Sequence, residues 1–162
     1  MSKFTAHLPR RMIEGGVCID GDCALISMRD PGSPLPQYKN TYVEILQLAF
    51  HDLIEGIDDI IPRLIGVSDE EKAEIRRTYI SPAQEHAKAV ADFIRRHRDR
   101  SIIAHCEAGV SRSAAICEVL VNNGWRYVKV YHDRAHYNRL LARLIQEEFD
   151  KLPIFGHNDS ST

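Results

Sequence analysis

The stretch from Ser101 to Val121 narrows the choice of fold more than any other part of the chain. Ser101-Ile102-Ile103-Ala104 is short and almost wholly apolar, as a strand buried on both faces of a sheet is. It passes through His105 to Ser111 into a segment whose Ala115, Ile116, Leu120 and Val121 recur at helical spacing and which stops at Asn123-Gly124. A strand feeding a helix across so short a loop is a βα unit, and such units build parallel sheets covered by helices. The alternation recurs elsewhere. Val17 to Met28 contains the apolar run Cys23 to Met28, stopped by Arg29-Asp30-Pro31-Gly32-Ser33-Pro34, and Tyr42 to Phe50 alternates and is rich in β formers; both read as strands. Ser68-Asp69-Glu70-Glu71 and Ser81-Pro82-Ala83-Gln84 carry helix-start signatures. The first predicts a helix to about Tyr79. The second predicts one with Ala87, Val90, Ala91 and Ile94 on a single face and Arg95, Arg96, His97 and Arg98 where the helix dipole favours cations. A last helix is predicted from about His132 to Phe149, on Leu140, Leu141, Leu144, Ile145 and Phe149. The expected fold class is α/β, a central mainly parallel sheet flanked by helices.

With 162 residues, 44% hydrophobic and 27% charged, the chain has the size of one domain, 1–162, its core from about 17 to 150 and a polar tail over 151–162. A formal net charge of −2 provides no bulk attraction to nucleic acid or to an anionic membrane. Met1 to Arg11 has no apolar run behind its basic residues, and nothing approaches the ~18 apolar residues of a membrane span. A cytoplasmic monomer without nucleic-acid or membrane partners is expected, its four cysteines reduced. Function must therefore be read from a local site.

In a parallel sheet, ligands bind beyond the carboxyl ends of the strands, and two such ends carry chemistry: Phe50-His51-Asp52 and His105-Cys106. After the second end, the N–H groups of Glu107, Ala108, Gly109, Val110, Ser111 and Arg112 can curl around an anion at a helix N-terminus, with Gly109 permitting the tight turn. Cys106 would share that positive field, which favours thiolate over thiol and makes it a nucleophile. Arg112 offers a planar fork matching two phosphate oxygens. Ser113 is placed to donate a hydrogen bond to the Cys106 sulfur and ease its departure from a covalent intermediate.

The pattern His105-Cys106-x-x-Gly109-x-x-Arg112-Ser113 resembles the signature of the cysteine-dependent protein tyrosine phosphatases, and HCEAGVSRSAA is most similar to the dual-specificity branch and its small bacterial or viral relatives. The resemblance is strongest over 101–121 and looser over about 20–149. It implies a protein tyrosine phosphatase-like fold, transfer of a phosphoryl group to Cys106, hydrolysis of the phosphocysteine by water, and an aspartic acid on a separate loop as general acid and then base. It implies no cofactor and no metal. It also implies supporting roles for His105, which holds the thiolate and loop, and for Asn138, which braces loops around the site.

By order of elements Asp52 matches the family's acid. The interval from Asp52 to Cys106 exceeds the family's, so Leu53 to Ile80 reads as an insert beside the site; Asp58 and Asp59 stay as rivals within it, and Asp30 as a third. The tryptophan-proline-aspartate loop of the larger tyrosine phosphatases is absent, and Trp125 reads as a packing residue. Tyr38-Lys39-Asn40 bears a faint likeness to their phosphotyrosine-recognition loop at a different place in the chain. His132 and His136 have the spacing of a helical metal pair but lack further ligands nearby, which favours a solvated helix face. Cys18, Cys23 and Cys117 read as small hydrophobes.

The substrate class that follows is a phosphorylated protein or peptide, phosphotyrosine first and phosphoserine or phosphothreonine second. Phosphoinositide phosphatases of the superfamily carry lysines where this loop has Glu107 and Val110, and an acidic Glu107 facing the pocket would repel a polyanion. RNA triphosphatases act on polyanions too, and the only basic stretch is Arg95 to Arg100. A catalytically silent phosphopeptide-binding module would call for loss of Cys106, Arg112 or the acid. Sulfurtransferases lack this Gly/Arg-Ser arrangement, and the related arsenate reductases carry their loop near the N-terminus.

Overall fold

The computed structural model describes residues 2–17 and 21–154. Five strands form one all-parallel sheet: β1 (Phe4–Pro9), β2 (Ala24–Arg29), β3 (Ile45–Ala49), β4 (Ile102–Cys106) and β5 (Arg126–Tyr127), in the order β3-β2-β4-β1-β5. The helices are α1 (Arg10–Gly15), α2 (Ile57–Ile60), α3 (Asp69–Thr78), α4 (Gln84–Arg96), α5 (Arg112–Asn122) and α6 (Arg139–Lys151), with a 3-10 turn at Ile61–Arg63. The fold is thus α/β, as expected. Among the described residues no helix is long and apolar enough to cross a membrane.

Strand alternation divides the core between the two faces. Ala24, Ile26 and Met28 of β2 and Ile102, Ala104 and Cys106 of β4 meet α4, α5 and α6, together with Val90, Phe93, Ile94, Ile116, Leu120, Leu141 and Ile145. Leu25 and Ile103 point the other way, onto Leu8, Ile13, Cys23 and Tyr42. The basic last turn of α4 also serves packing, since Arg95 donates to the carbonyl of Glu148 at 3.0 Å and ties α4 to α6. Trp125 is buried in the helix-side core and its indole donates to Arg100 O, a packing role as read from the sequence.

Several boundaries differ from the sequence reading. The core begins near Phe4 rather than 17, because β1 lies between β4 and β5 and pairs residue for residue with β4. The helix expected from Ser81 starts at Gln84: Pro82 lies before it, and the ring of His86 accepts from the Ala83 amide as a capping carboxylate would. The helix expected from His132 starts at Arg139, where Asn138 caps it by accepting from the Leu141 amide at 2.9 Å. His132 and His136 consequently lie on a loop rather than a helix, their rings 6.1 Å apart. Among the described residues no group of three or more His, Cys, Asp or Glu is placed to hold a metal ion. Cys18 and residues 155–162 of the expected tail lie outside the described residues; Cys23 and Cys117 are buried, as read.

The segment between β3 and α4 packs differently from the rest. Ser68 caps α3 through the Glu71 amide, as its signature predicts, yet α3 buries none of its residues. The stretch is anchored to the body through buried Ile61 and through its ends, where His51 and Ile80 exchange a backbone bond of 2.7 Å and the His51 ring accepts from the Ile80 amide.

Candidate active site

Cys106 is the last residue of β4 and Arg112 the first of α5, so the loop between them lies at the carboxyl edge of the sheet. Three alternate carbonyls of this loop are tied outward. Glu107 O accepts from the Arg10 amide at 3.2 Å, Gly109 O meets His7 Nδ1 at 2.8 Å, and Ser111 O accepts from the Asn138 amide at 3.0 Å. In a trans peptide the next N–H points opposite to its carbonyl, so the amides of Ala108, Val110 and Arg112 are turned to the inner side of the curl. An amide cradle at the start of α5 is therefore already set before any anion arrives, held by β1 on one side and the α6 cap on the other. Gly109 has φ +72°, and a Cβ there would lie 2.3 Å from the Pro9 nitrogen, so only glycine lets the loop press against the end of β1.

The Cys106 sulfur lies 3.2 Å from Ser113 Oγ and is almost wholly covered. Arg112 is also buried. Its Nη1 donates to Phe50 O at 2.6 Å and lies 2.8 Å from Asp30 Oδ1, while its Nε–H has no partner among the described residues. An unpaired buried donor costs about 1–3 kcal/mol, which an incoming oxyanion would recover. Behind the loop, His105 Nε2 lies 2.6 Å from Ser27 Oγ, which in turn lies 2.7 Å from the Tyr38 hydroxyl. Burial pushes the His105 pKa down to about 4, so the ring is neutral around pH 7. Tyr38 and Asn40, the latter bonded to both backbone groups of Val17, brace the chain around β2.

Asp52 follows β3 and reaches the same edge. Its Oδ1 accepts from Ser111 Oγ at 2.8 Å and from Asn138 Nδ2 at 2.7 Å, and Asn138 Nδ2 also donates to Leu53 O at 3.0 Å. Fully buried Asn138 thus joins α6, the Cys106–Arg112 loop and the Asp52 loop. With Oδ1 occupied as an acceptor, a proton on this carboxyl belongs on Oδ2. The rivals sit elsewhere: Asp58 is exposed and pairs with Arg76 at 3.0 Å, Asp59 is exposed on α2, and Asp30 faces Arg112.

Neither a protein-family model, nor a curated protein, nor a solved structure matches this chain.

Of the residues singled out in the sequence, Cys106, Arg112, Ser113, Ser111, His105, Asn138 and Asp52 are brought together, whereas Asp58 and Asp59 are not. Glu107 is not a bare charge in the pocket, because Arg10 Nη1 lies 3.2 Å from its Oε1. The Arg10 guanidinium offsets the charge with which Glu107 alone would repel a polyanion. Sequence reasoning missed His7, Arg10, Ser27 and the arginine-facing place of Asp30; each acts across distant segments, and no local spacing announces it. Two open depressions lie away from the loop, one at the amino ends of the strands (Lys3, Asp22, Asp99) and one against β1 and β5 (Met12, Val17, Val128). The first has buried Cys23 among its lining residues beside Asp22 and Asp99, and the second is lined by neither a cysteine nor a carboxyl.

Proposed function

We propose that this protein is a phosphatase of the protein tyrosine/dual-specificity type, hydrolysing phosphotyrosine monoesters of proteins or peptides, with phosphoserine and phosphothreonine esters as further substrates. The observation that carries the reading is the hydrogen bond between Ser111 of the loop and Asp52, which fixes a carboxyl beside a loop holding a cysteine and a buried arginine with a free donor. The phosphoryl oxygens take the inward amides and Arg112 Nε–H, and Cys106 Sγ attacks phosphorus opposite the ester oxygen. The S–P bond forms as the P–O bond breaks, and Asp52 Oδ2 gives its proton to the leaving oxygen. Water then attacks the phosphocysteine, Asp52 takes the water's proton, and the sulfur departs as thiolate toward the Ser113 hydroxyl at 3.2 Å. The same arrangement favours an enzyme over a silent binding module, since a binding module needs neither nucleophile nor acid.

Hydrolysis of para-nitrophenyl phosphate in excess chelator tests the reading. Turnover is expected without added metal, falling at least ~10³-fold in Cys106→Ser and in Arg112→Lys. Undiminished turnover in either variant, or none by the unaltered protein, rejects it.

A further inference from the structure

We infer that His7, buried behind the Cys106–Arg112 loop, is a positioning residue that takes up a proton when the loop takes up an oxyanion. The inference rests on reading that loop as an anion site. Thr5, His7 and Pro9 pair in register with Ile102, Ala104 and Cys106, so His7 shares the face of the sheet that carries the cysteine, one step back along the strand. It is 1% exposed. Its Nδ1 lies 2.8 Å from Gly109 O, its Nε2 lies 2.8 Å from the Tyr127 hydroxyl, and that hydroxyl donates to His132 O at 2.9 Å.

Both ends of this chain of bonds are carbonyls, which only accept. Three bonds need three hydrogens; a neutral imidazole and a phenol bring two, and the imidazolium brings the third. His105, on the opposite face, shows the contrast. Its chain runs from Cys106 O at 3.5 Å through the ring and Ser27 to the Tyr38 hydroxyl, so one end can donate and a neutral ring with two hydroxyls supplies every hydrogen. His105 is complete when neutral, and His7 is one hydrogen short.

The surroundings of His7 hold it in that state while the loop is empty. Burial is the largest influence and lowers its pKa; His132 and Arg134 act in the same direction, and Asp133 and the bond to Gly109 act against them. The Tyr127 ring stacks on His7 at 5.7 Å from β5, and Arg134 is itself paired with Glu118 at 2.9 Å. A dianion seated on the amides flanking Gly109 adds negative charge nearby and favours the cation. The proton comes from the solvent onto Nε2, and the Tyr127 hydrogen is left to His132 O. By reciprocity, protonation of His7 tightens anion binding by the same factor.

The test is calorimetric titration of Cys106→Ser protein with tungstate, a tetrahedral dianion throughout the neutral range, in buffers of different ionisation enthalpy. The serine removes any proton exchanged by the thiol. Uptake of about half a proton per tungstate is expected at pH 7, with affinity falling about threefold per pH unit. Both effects should be lost when Tyr127→Phe or His7→Asn is added, whereas uptake by half-buried His132 or exposed His136 would persist and overturn the inference. Nitrogen-15 shifts of the His7 ring in the Cys106→Ser protein read the same event without a second substitution: neutral when empty, cationic with tungstate. Binding without proton uptake and with a neutral ring overturns the inference and leaves the anion site standing. Failure of the folded protein to bind tungstate removes the anion site itself.

Discussion

Asp30 Oδ1 lies 2.8 Å from Nη1 of Arg112, on a guanidinium that also donates to Phe50 O and whose Nε–H has no partner among the described residues. The loop after β2 and the end of β3 therefore both hold Nη1 and leave the Nε–H for another partner. Asp30 is the partly exposed member of the pair and Arg112 the buried one, so removing the carboxylate leaves a buried charge with less compensation. Asp30→Asn should lower kcat/KM by roughly 10–100-fold, about 1.4–2.7 kcal/mol of transition-state stabilisation. The loss should be equal for activated aryl phosphates and for phosphotyrosine, because a clamp touches the phosphoryl group and not the leaving oxygen. A loss confined to phosphotyrosine would instead make Asp30 the proton donor.

Asp52 has the opposite signature. Asp52→Asn keeps an oxygen for Ser111 and Asn138 but cannot deliver a proton. Turnover of phosphotyrosine should fall by about 10²–10⁴-fold while that of an activated aryl phosphate falls far less. Asp58→Asn and Asp59→Asn, on exposed positions of α2, should leave both rates near normal. Leaving-group dependence in one of those and not in Asp52→Asn would move the acid onto the segment between β3 and α4.

What could be read in the sequence depended on range. Cys106 to Arg112 is local, and its strand, loop and helix are contiguous, so the α/β class showed in the spacing. β1 did not show, although it lies inside the sheet between β4 and β5, because its helix-facing residues are Thr5 and His7 rather than apolar ones. Their nearest polar partners, Cys117 for Thr5 and Gly109 and Tyr127 for His7, are more than a hundred residues away. Asn138 was legible as a bracing residue through the family resemblance, but the start of α6 was misplaced because the apolar spacing was extended backward past a sound N-cap. Asp30 was read as a possible acid because a carboxyl near a site announces its chemistry and not its partner.

Gly109 links β1 to the loop sterically. Gly109→Ala must accommodate a left-handed φ of +72° and a Cβ placed 2.3 Å from Pro9 N and 2.6 Å from Leu8 C, both backbone atoms that cannot swing aside. The loop must move off β1, breaking the His7 and Arg10 contacts on the way. A stability loss of at least about 2 kcal/mol is expected, read as a lowered urea midpoint, together with loss of tungstate binding at temperatures where the protein stays folded. Retention of both would mean that the loop is not held by β1.

His105 supplies the expected pH dependence of stability. Its folded pKa is about 4, below the ordinary value of 6.5, because the ring is buried. Above pH 6.5 the ring is neutral in both folded and unfolded chains and the full stability is present. As pH falls, the unfolded chain binds its proton first, so stability is lost between about pH 6.5 and 4, by roughly 3 kcal/mol once the folded ring also protonates. His7 and His86, whose pKa values are also lowered by burial, act in the same direction and obscure the effect in a single protein. The difference between the unaltered protein and His105→Asn removes them, because both proteins keep those two rings. The unaltered protein should be the more stable at pH 7, through the bond to Ser27, and its advantage should shrink by roughly 3 kcal/mol as pH is lowered to 4. Urea midpoints at half-unit pH steps measure this difference. A gap that stays constant across the range would mean that His105 keeps its ordinary pKa when folded, and that the bonds from Cys106 O through Ser27 to Tyr38 do not depend on a neutral ring.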